Sequence, residues 1–366
     1  MFELCILSRF GIPGRLKKTI RSVIVGFALL GTVSSSATAQ EAQKDVIESV
    51  IVSGNQRIER STIMSYISVA KGSLFDSVLI DRSLKTLFST GSENLGPENW
   101  KTLALRIVEL SEEPEINAFI VTHGTDTLEE AAFFLDLVLK PKKPIILTGA
   151  MRSSTALSAD GQANIFQASL AAISQKLKNQ GVLIVMNGLI IQGRQAIKTD
   201  SLCLEAFSSY PGGPIGKIVG EEVFIFGIPR PSPIMGRFHS HLSNELELPF
   251  IEIIFLRGGS AENQIKILEK NDSKGIVVAG FGAGTVPNNL AKIILEKAKK
   301  GSLFIISSRV SKVSVMSKTM TSFDNNNVLP AGGLNPQKSA ILMSLGLQEN
   351  LKAFELFKFL KLLEIQ

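Results

Sequence analysis

The sequence predicts an α/β fold in two units, and three observations carry that reading. From residue 91 onward, short apolar runs of strand length alternate with longer segments whose apolar residues recur at helical spacing. This is the order that builds parallel sheets covered by helices. A passage rich in proline (Pro211, Pro214, Pro229, Pro231, Pro233 and Pro249) divides the alternation in two. Of the 366 residues, 45% are hydrophobic and 20% charged, enough to bury a sizeable core and too apolar for a disordered chain.

The first 39 residues read as an address. Lys17, Lys18 and Arg21 precede an apolar run from Val23 to Val33, and a small-residue stretch ends in Ala37-Thr38-Ala39. A basic start, a short apolar middle and an A-x-A site make a secretory signal, cleaved after Ala39. The run is shorter than the roughly 20 residues that span a bilayer, so no stable membrane insertion is expected. The periplasm is the expected compartment. The signal also carries much of the net charge of +6, because residues 1–39 hold five basic residues and one acid. The rest of the chain has 34 basic against 32 acidic residues, a balance that gives nucleic-acid binding no support. Two cysteines exclude a disulfide scaffold or a cysteine-based zinc site, and three histidines argue against a histidine-rich metal enzyme. Neither metal nor cofactor is expected.

Residues 40–90 form a short module of their own. Glu48–Ser53 has the pattern of a strand and Gly54-Asn55 that of a turn, while 58–67 and 78–87 carry apolar residues at helical spacing. The runs Val50-Ile51-Val52-Ser53-Gly54-Asn55-Gln56-Arg57-Ile58-Glu59-Arg60 and 79–91 resemble the first POTRA (polypeptide-transport-associated) repeat of the outer-membrane β-barrel assembly protein. The resemblance implies a β-α-α segment without the two strands that close such a repeat.

Residues 91–207 form the first α/β unit. A helix over 96–110 leads to a strand at Ala118–Val121. A helix over 128–139, a strand at Pro144–Leu147, a helix over 161–176 and a strand at Val182–Met186 follow. Residues 208–249 are expected to be an extended interdomain passage. Residues 250–366 form the second unit, with strands over 250–256, 275–279 and 303–307, helices over 261–270 and 288–299, and two closing helices. The last of these carries Ala353, Leu356, Phe357, Leu360 and Leu363 on one face, a stripe that belongs to a core or a subunit contact.

The sharpest chemical signal is Val121-Thr122-His123-Gly124-Thr125-Asp126-Thr127, placed where a parallel strand gives way to a helix. Open α/β sheets bind ligands at that edge. Thr127 and Glu130 have capping-box spacing, which would fix the helix start and set Thr125 and Asp126 in the turn. Gly124 would let a ligand approach the backbone. Two other strand ends repeat the placement, Thr148-Gly149-Ala150-Met151-Arg152 and Gly193-Arg194-Gln195-Ala196-Ile197-Lys198-Thr199. A lysine in such a cleft serves as base to a threonine hydroxyl, with an aspartate to hold the amine. On spacing alone, a capped helix and a solvated lysine explain the same residues. Gly280-Phe281-Gly282-Ala283-Gly284 lacks the third glycine of a dinucleotide loop and reads as a tight strand-to-helix turn. His239 and His241 read as solvated side chains rather than metal ligands.

The run Thr122-His123-Gly124-Thr125-Asp126-Thr127 with Glu129 and Glu130, together with Gly149-Ala150-Met151-Arg152, Ser158-Ala159-Asp160-Gly161 and Leu334-Asn335-Pro336-Gln337-Lys338, resembles the bacterial L-asparaginase family from about residue 91 to the C-terminus. The resemblance implies an asparaginase-like two-domain fold. It implies hydrolysis of L-asparagine or L-glutamine, a small-molecule amino-acid amide, to the acid and ammonia. It assigns Thr125, Asp126 and Lys198 to a Thr–Asp–Lys triad, and it places the backbone of Ala150 at the substrate amide. Ser92, Glu93 and Gly124 fall among its substrate-binding positions. It also implies a homotetramer with sites shared between subunits. The family opens with a strand ending in T-G-G-T-I, whose second threonine is assigned as the nucleophile. That motif is absent here. Gln56 stands at the matching position, and Ser53 and Tyr66 are poor substitutes for the missing groups. Gly91-Ser92 marks the expected seam. The activity is therefore expected to be impaired; an inactive fusion or a POTRA-type protein-binding module is the alternative.

Overall fold

The structure is a computed structural model and describes residues 2–8, 84–88, 90–114, 116–227, 230–270, 273–320 and 322–363. The first unit is built on an eight-stranded sheet. Its strands are β1 (Phe2–Ser8), β2 (Leu84–Phe88), β3 (Ile116–Thr122), β4 (Ile145–Thr148), β5 (Val182–Met186), β6 (Leu189–Gln192), β9 (Gly216–Val219) and β10 (Glu222–Ile225). Between β6 and β9, the strands β7 (Ala196–Lys198) and β8 (Phe207–Ser209) pair only with each other. The sheet order is β10-β9-β6-β5-β4-β3-β1-β2.

The centre of the sheet, β3-β4-β5, is parallel as expected, but both flanks are antiparallel. The physical reason lies in the connections. Helices α2 (Leu128–Val138) and α3 (Gly161–Ile173) provide the long crossovers that parallel neighbours need, whereas Asn187 and Gly188, both at positive φ, turn β5 directly back into β6. The helix expected over 161–176 stops at Ile173, where Ser174 is extended, and a short 3-10 turn follows at Gln175–Leu177. The passage expected over 208–249 is not simply extended either. Its first part contributes the β9–β10 hairpin to the edge of the sheet, and only the rest leads to the second unit.

The N-terminal expectations meet the structure at few points. Most of the POTRA-like segment, including Glu48–Ser53, Gln56 and Tyr66, lies outside the described residues. Within it, Leu84–Phe88 is a strand rather than the end of a helix over 78–87, because pairing with β1 supplies backbone partners that outweigh helical spacing. Strand β1 falls inside the stretch read as an export signal. In the whole chain it pairs antiparallel with β3 on one side and β2 on the other.

Strand alternation divides the interior of the first unit. Ala118 and Ile120 of β3, with Ile146, Leu183 and Val185, pack under Ile165, Ala168 and Ala171 of α3. The intervening Phe119 and Val121, with Ile145, Leu147, Val182 and Ile184, face α2 and α1 (Pro97–Ser111). The second unit is an all-parallel sheet of β11 (Glu252–Phe255), β12 (Gly275–Gly280), β13 (Leu303–Ser308) and β14 (Val328–Pro330). Helices α4 (Ala261–Lys270) and α5 (Asn288–Lys299) cover one face through Leu268, Leu290 and Ile294. Helices α6 (Pro336–Gln348) and α7 (Ala353–Leu363) cover the other. Their Leu342, Leu345, Leu356 and Leu360 belong to the same cluster as Phe133 and Phe134 of α2, so one core runs through both units. The stripe on the last helix is thus core, as one of its two readings held. Among the described residues, no helix is long and apolar enough to cross a membrane.

Candidate active site

Strand β3 delivers the site. Its last residues are sealed between α2 and α3, so Thr125 follows on a rigid platform and is itself only 2% exposed. Asp126, the next residue, turns outward, with its side chain 54% exposed. Lys198 comes from the end of β7 and crosses to both. Its Nζ donates to Thr125 Oγ1 at 3.0 Å and to Asp126 Oδ1 at 2.7 Å. The three residues named from sequence therefore meet in one cluster, at ordinary to short charge-assisted hydrogen-bond distances. Lys198 reaches the edge of the main sheet without belonging to it, because β7 pairs only with β8.

The turns around the cluster are held by specific groups. The Asp126 N–H donates to Ser92 Oγ at 3.3 Å, and Thr127 Oγ1 donates to the Ser92 carbonyl at 2.8 Å. Thr127 thus spends its hydroxyl on the 92 loop and makes no side-chain cap on α2, so the expected capping box does not form. Gly124 is required here for packing against the 92 loop. The space beside it belongs to Ser92, whose Oγ would lie 2.5 Å from a Cβ at position 124. Ser92 is buried and Glu93, beside it, is exposed.

Position 149 explains the other glycine. A Cβ there would meet the His123 carbonyl oxygen at 2.5 Å and Thr125 Cγ2 at 3.3 Å, so only glycine lets this turn close on the threonine. Asp160 then pins the loop that carries Ala150: its carboxylate accepts the N–H groups of Met151 and Arg152, both at 2.9 Å. Asn164 donates to the Gly149 carbonyl at 3.0 Å. Ala150 is buried in this braced turn.

His123 is buried and its Nδ1 donates to the Gly124 carbonyl at 2.6 Å. Burial lowers its pKa to about 4, so it is a neutral structural residue behind the turn. His239 and His241 are engaged elsewhere, with the Val138 carbonyl and the Gln348 side-chain oxygen. Among the described residues no group of three His, Cys, Asp or Glu side chains is placed to hold a metal ion. The 280–284 run closes as a tight turn, Phe281 N–H to the Thr285 carbonyl, with Gly282 and Gly284 at positive φ.

Sequence reasoning missed the group behind Lys198. Glu129 Oε2 accepts the Lys198 backbone N–H at 2.6 Å. Its Oε1 accepts Asn335 Nδ2 at 2.8 Å and Gln337 Nε2 at 2.7 Å, both from the start of α6. The available signal was a glutamate on a helix that is apolar apart from Glu130 and Asp136, because a buried carboxylate must find partners.

Chemically, the cluster offers a hydroxyl with a lysine amine one hydrogen bond away and a carboxylate on the far side of that amine.

Comparison with known proteins gave two family matches and several relatives. The sequence matches the family described as Asparaginase, N-terminal over residues 24–229, and the Glutaminase/Asparaginase C-terminal domain over residues 251–358. It is 32% identical over 358 residues to a glutaminase-asparaginase of Pseudomonas fluorescens biotype A, covering 96% of this chain and 95% of that one. It is 33% identical over 264 residues to L-asparaginase 2 of Escherichia coli K12, covering 71% of this chain and 74% of that one. Among solved structures it resembles a probable cytoplasmic L-asparaginase from Campylobacter jejuni, with a TM-score of 0.64 and 34% identity, covering 76% of this chain and 87% of that one. The first of the two family matches has end points that enclose residues 40–90.

Proposed function

Since this chain belongs to the asparaginase family, we propose that it is an amidohydrolase of the side-chain amide of L-asparagine or L-glutamine, with Thr125, Asp126 and Lys198 at its centre. The observation that carries the reading is the pair of hydrogen bonds from Lys198 Nζ to Thr125 Oγ1 and Asp126 Oδ1. Family membership supports the reaction, amide plus water giving carboxylate and ammonia. Lys198 takes the hydroxyl proton, an oxygen attacks the amide carbon, and the proton passes to the departing nitrogen. Water then cleaves the acyl-threonine ester.

The sequence has no T-G-G-T-I strand, and Gln56 stands where its second threonine would be. The proposed consequence is a slow enzyme in which Thr125 is the hydroxyl left to attack. Loss of one member of a catalytic set leaves a residual rate of about 10³–10⁴ over water. Ammonia release from L-asparagine is thus expected to be at least about a thousandfold below that of a complete family member. Thr125→Ala and Lys198→Met should each abolish what remains. A rate equal to that of a complete member, removed by Thr125→Ala and untouched by Ser53→Ala, would refute the missing nucleophile and make Thr125 the full nucleophile. A rate indifferent to Thr125→Ala would overturn the site itself.

The finer readings follow from sequence alone. The basic start, apolar run and Ala37-Thr38-Ala39 support export to the periplasm, and mass spectrometry of periplasmic protein should then find a new N-terminus at Gln40. The Val50–Arg60 run supports a POTRA-like origin for residues 40–90. The family resemblance supports a homotetramer.

A further inference from the structure

Strand β7, which ends in Lys198, is three residues long and pairs only with the equally short β8. A ribbon of that size does not fix its own position. Something outside it must set where the Lys198 amine sits, and the second unit provides it. Lys338, at the start of α6, is 2% exposed and reaches across to the chain just before Lys198. Its Nζ donates to the carbonyls of Gly193 at 3.1 Å, Arg194 at 3.2 Å and Ala196 at 2.5 Å. That uses all three protons of an ammonium on one turn. The same helix start orients Glu129 through Asn335 and Gln337, and Glu129 takes the Lys198 backbone N–H. The segment is thus held by its carbonyls on one side of Lys198 and by the Lys198 N–H itself. A buried ammonium is costly, and a methionine would fill the same volume without that cost. What methionine could not do is hold three carbonyls in place.

We infer that Lys338 is a positioning residue for Lys198: through the 193–196 carbonyls, and with Glu129 as the second tether, the C-terminal unit sets the pose of the amine at Thr125. The inference rests on the proposed role of Lys198, so its test needs a readout that does not depend on turnover. That readout is the rate at which an acetylating succinimidyl ester modifies Lys198 in the full-length protein, followed by peptide mass spectrometry. Exposed Lys292 is the internal control.

In Lys338→Met the Lys198 amine, no longer held against Thr125 and Asp126, should be acetylated at least about threefold faster while Lys292 is unchanged. Lys338→Arg, which keeps the charge and several donors, should fall near the wild type. Where the wild type turns over L-asparagine, kcat of Lys338→Met should drop about tenfold or more with KM within about twofold, the signature of a misplaced reacting group rather than lost binding. Unchanged Lys198 labelling in a folded Lys338→Met protein overturns the inference. So does a parallel rise at Lys198 and Lys292, which would mean general loosening. If Lys338→Met does not fold, half-buried Gln337→Leu decides by the same labelling, with a smaller rise at Lys198 expected and no change overturning the inference. A wild type that releases no ammonia refutes the amidohydrolase reading and leaves the labelling result to stand or fall separately.

Discussion

At the scale of single residues, the strand–helix unit that carries the site holds three ionisable groups whose protonation departs from the ordinary, His123 and Asp136 buried and Glu130 half-buried. Burial lowers His123 from 6.5 to about 4. Burial, then the neighbouring Glu129 charge, raises Glu130 from 4.5 to about 7. Burial raises Asp136 from 3.8 to about 6. Their effects on stability oppose each other. Between pH 4 and 6.5 the unfolded chain holds the extra His123 proton, so that group makes stability rise with pH. For Asp136, between pH 3.8 and 6, the folded chain holds the extra proton, so stability falls as pH rises, and Glu130 acts likewise between 4.5 and 7. Where all three windows overlap, two carboxyls outweigh one imidazole, and their sum favours the acid side by about one proton. Asp136→Asn isolates one contribution. The asparagine oxygen still accepts the Val182 N–H that Asp136 Oδ1 accepts at 3.2 Å, and it never ionises. The substitution should therefore gain roughly 2–3 kcal/mol at pH 7.5 relative to its effect at pH 4, one pKa unit being about 1.4 kcal/mol. Urea unfolding of both proteins at the two pH values checks this. An equal effect at both would show that Asp136 is not held protonated by the fold.

At the scale of elements, what was legible in the sequence follows burial. Strands β3, β4, β5, β12 and β13 are apolar runs buried on both faces, and helices α2 to α5 show their period plainly, so each was found within a few residues. Chain direction places Thr125 and Asp126 at the sheet edge, but Lys198 was joined to them only by the family resemblance, because on spacing alone a capped helix and a solvated lysine explain the same residues. Strands β6 to β10 were missed because they are three or four residues long and their identity depends on which edge they meet. The capping box failed for a related reason: Thr127 found a better acceptor in a loop 35 residues away. Strand β1 makes the same point and carries a prediction. It is paired along both edges, so cleavage after Ala39 would strip partners from β3 and β2 together. An unpaired edge on β3 invites pairing with another chain. The 40–366 protein is therefore expected to melt at least about 1–2 °C below the full chain, as a loss of about 1 kcal/mol or more implies at this size, or to self-associate. Differential scanning calorimetry and sedimentation velocity on the two forms check it. Identical melting and identical mass would show that β1 contributes nothing to the sheet.

For the whole molecule, the proline-rich passage suggests two units that could live apart, and the packing says otherwise. Every residue of α2 except Glu130 is buried, although the sheet of the first unit can cover only one side of the helix. The other side is covered from the second unit, where Leu334, Ile341, Leu342, Leu345, Leu356 and Leu360 continue the cluster begun by Trp100, Phe119, Phe133 and Phe134. Each large apolar side chain so buried contributes about 1.5–3 kcal/mol. Exposing even five of them would cost as much as the 5–15 kcal/mol that typically separates folded from unfolded chains. Polar terms point the same way: Glu129 would lose Asn335 and Gln337, and Lys338 would lose its three carbonyls. A fragment ending at residue 249 and a fragment beginning at 250 are therefore expected to be poorly folded when made separately. Each should bind a hydrophobic dye and lack a cooperative thermal transition. Made together in one cell they should associate, recover a single transition and restore slow Lys198 acetylation. A fragment 1–249 that unfolds cooperatively on its own, with the near-ultraviolet circular dichroism of the whole chain, would show that the first unit is self-sufficient. The start of α6 would then be a lid on the site rather than its foundation.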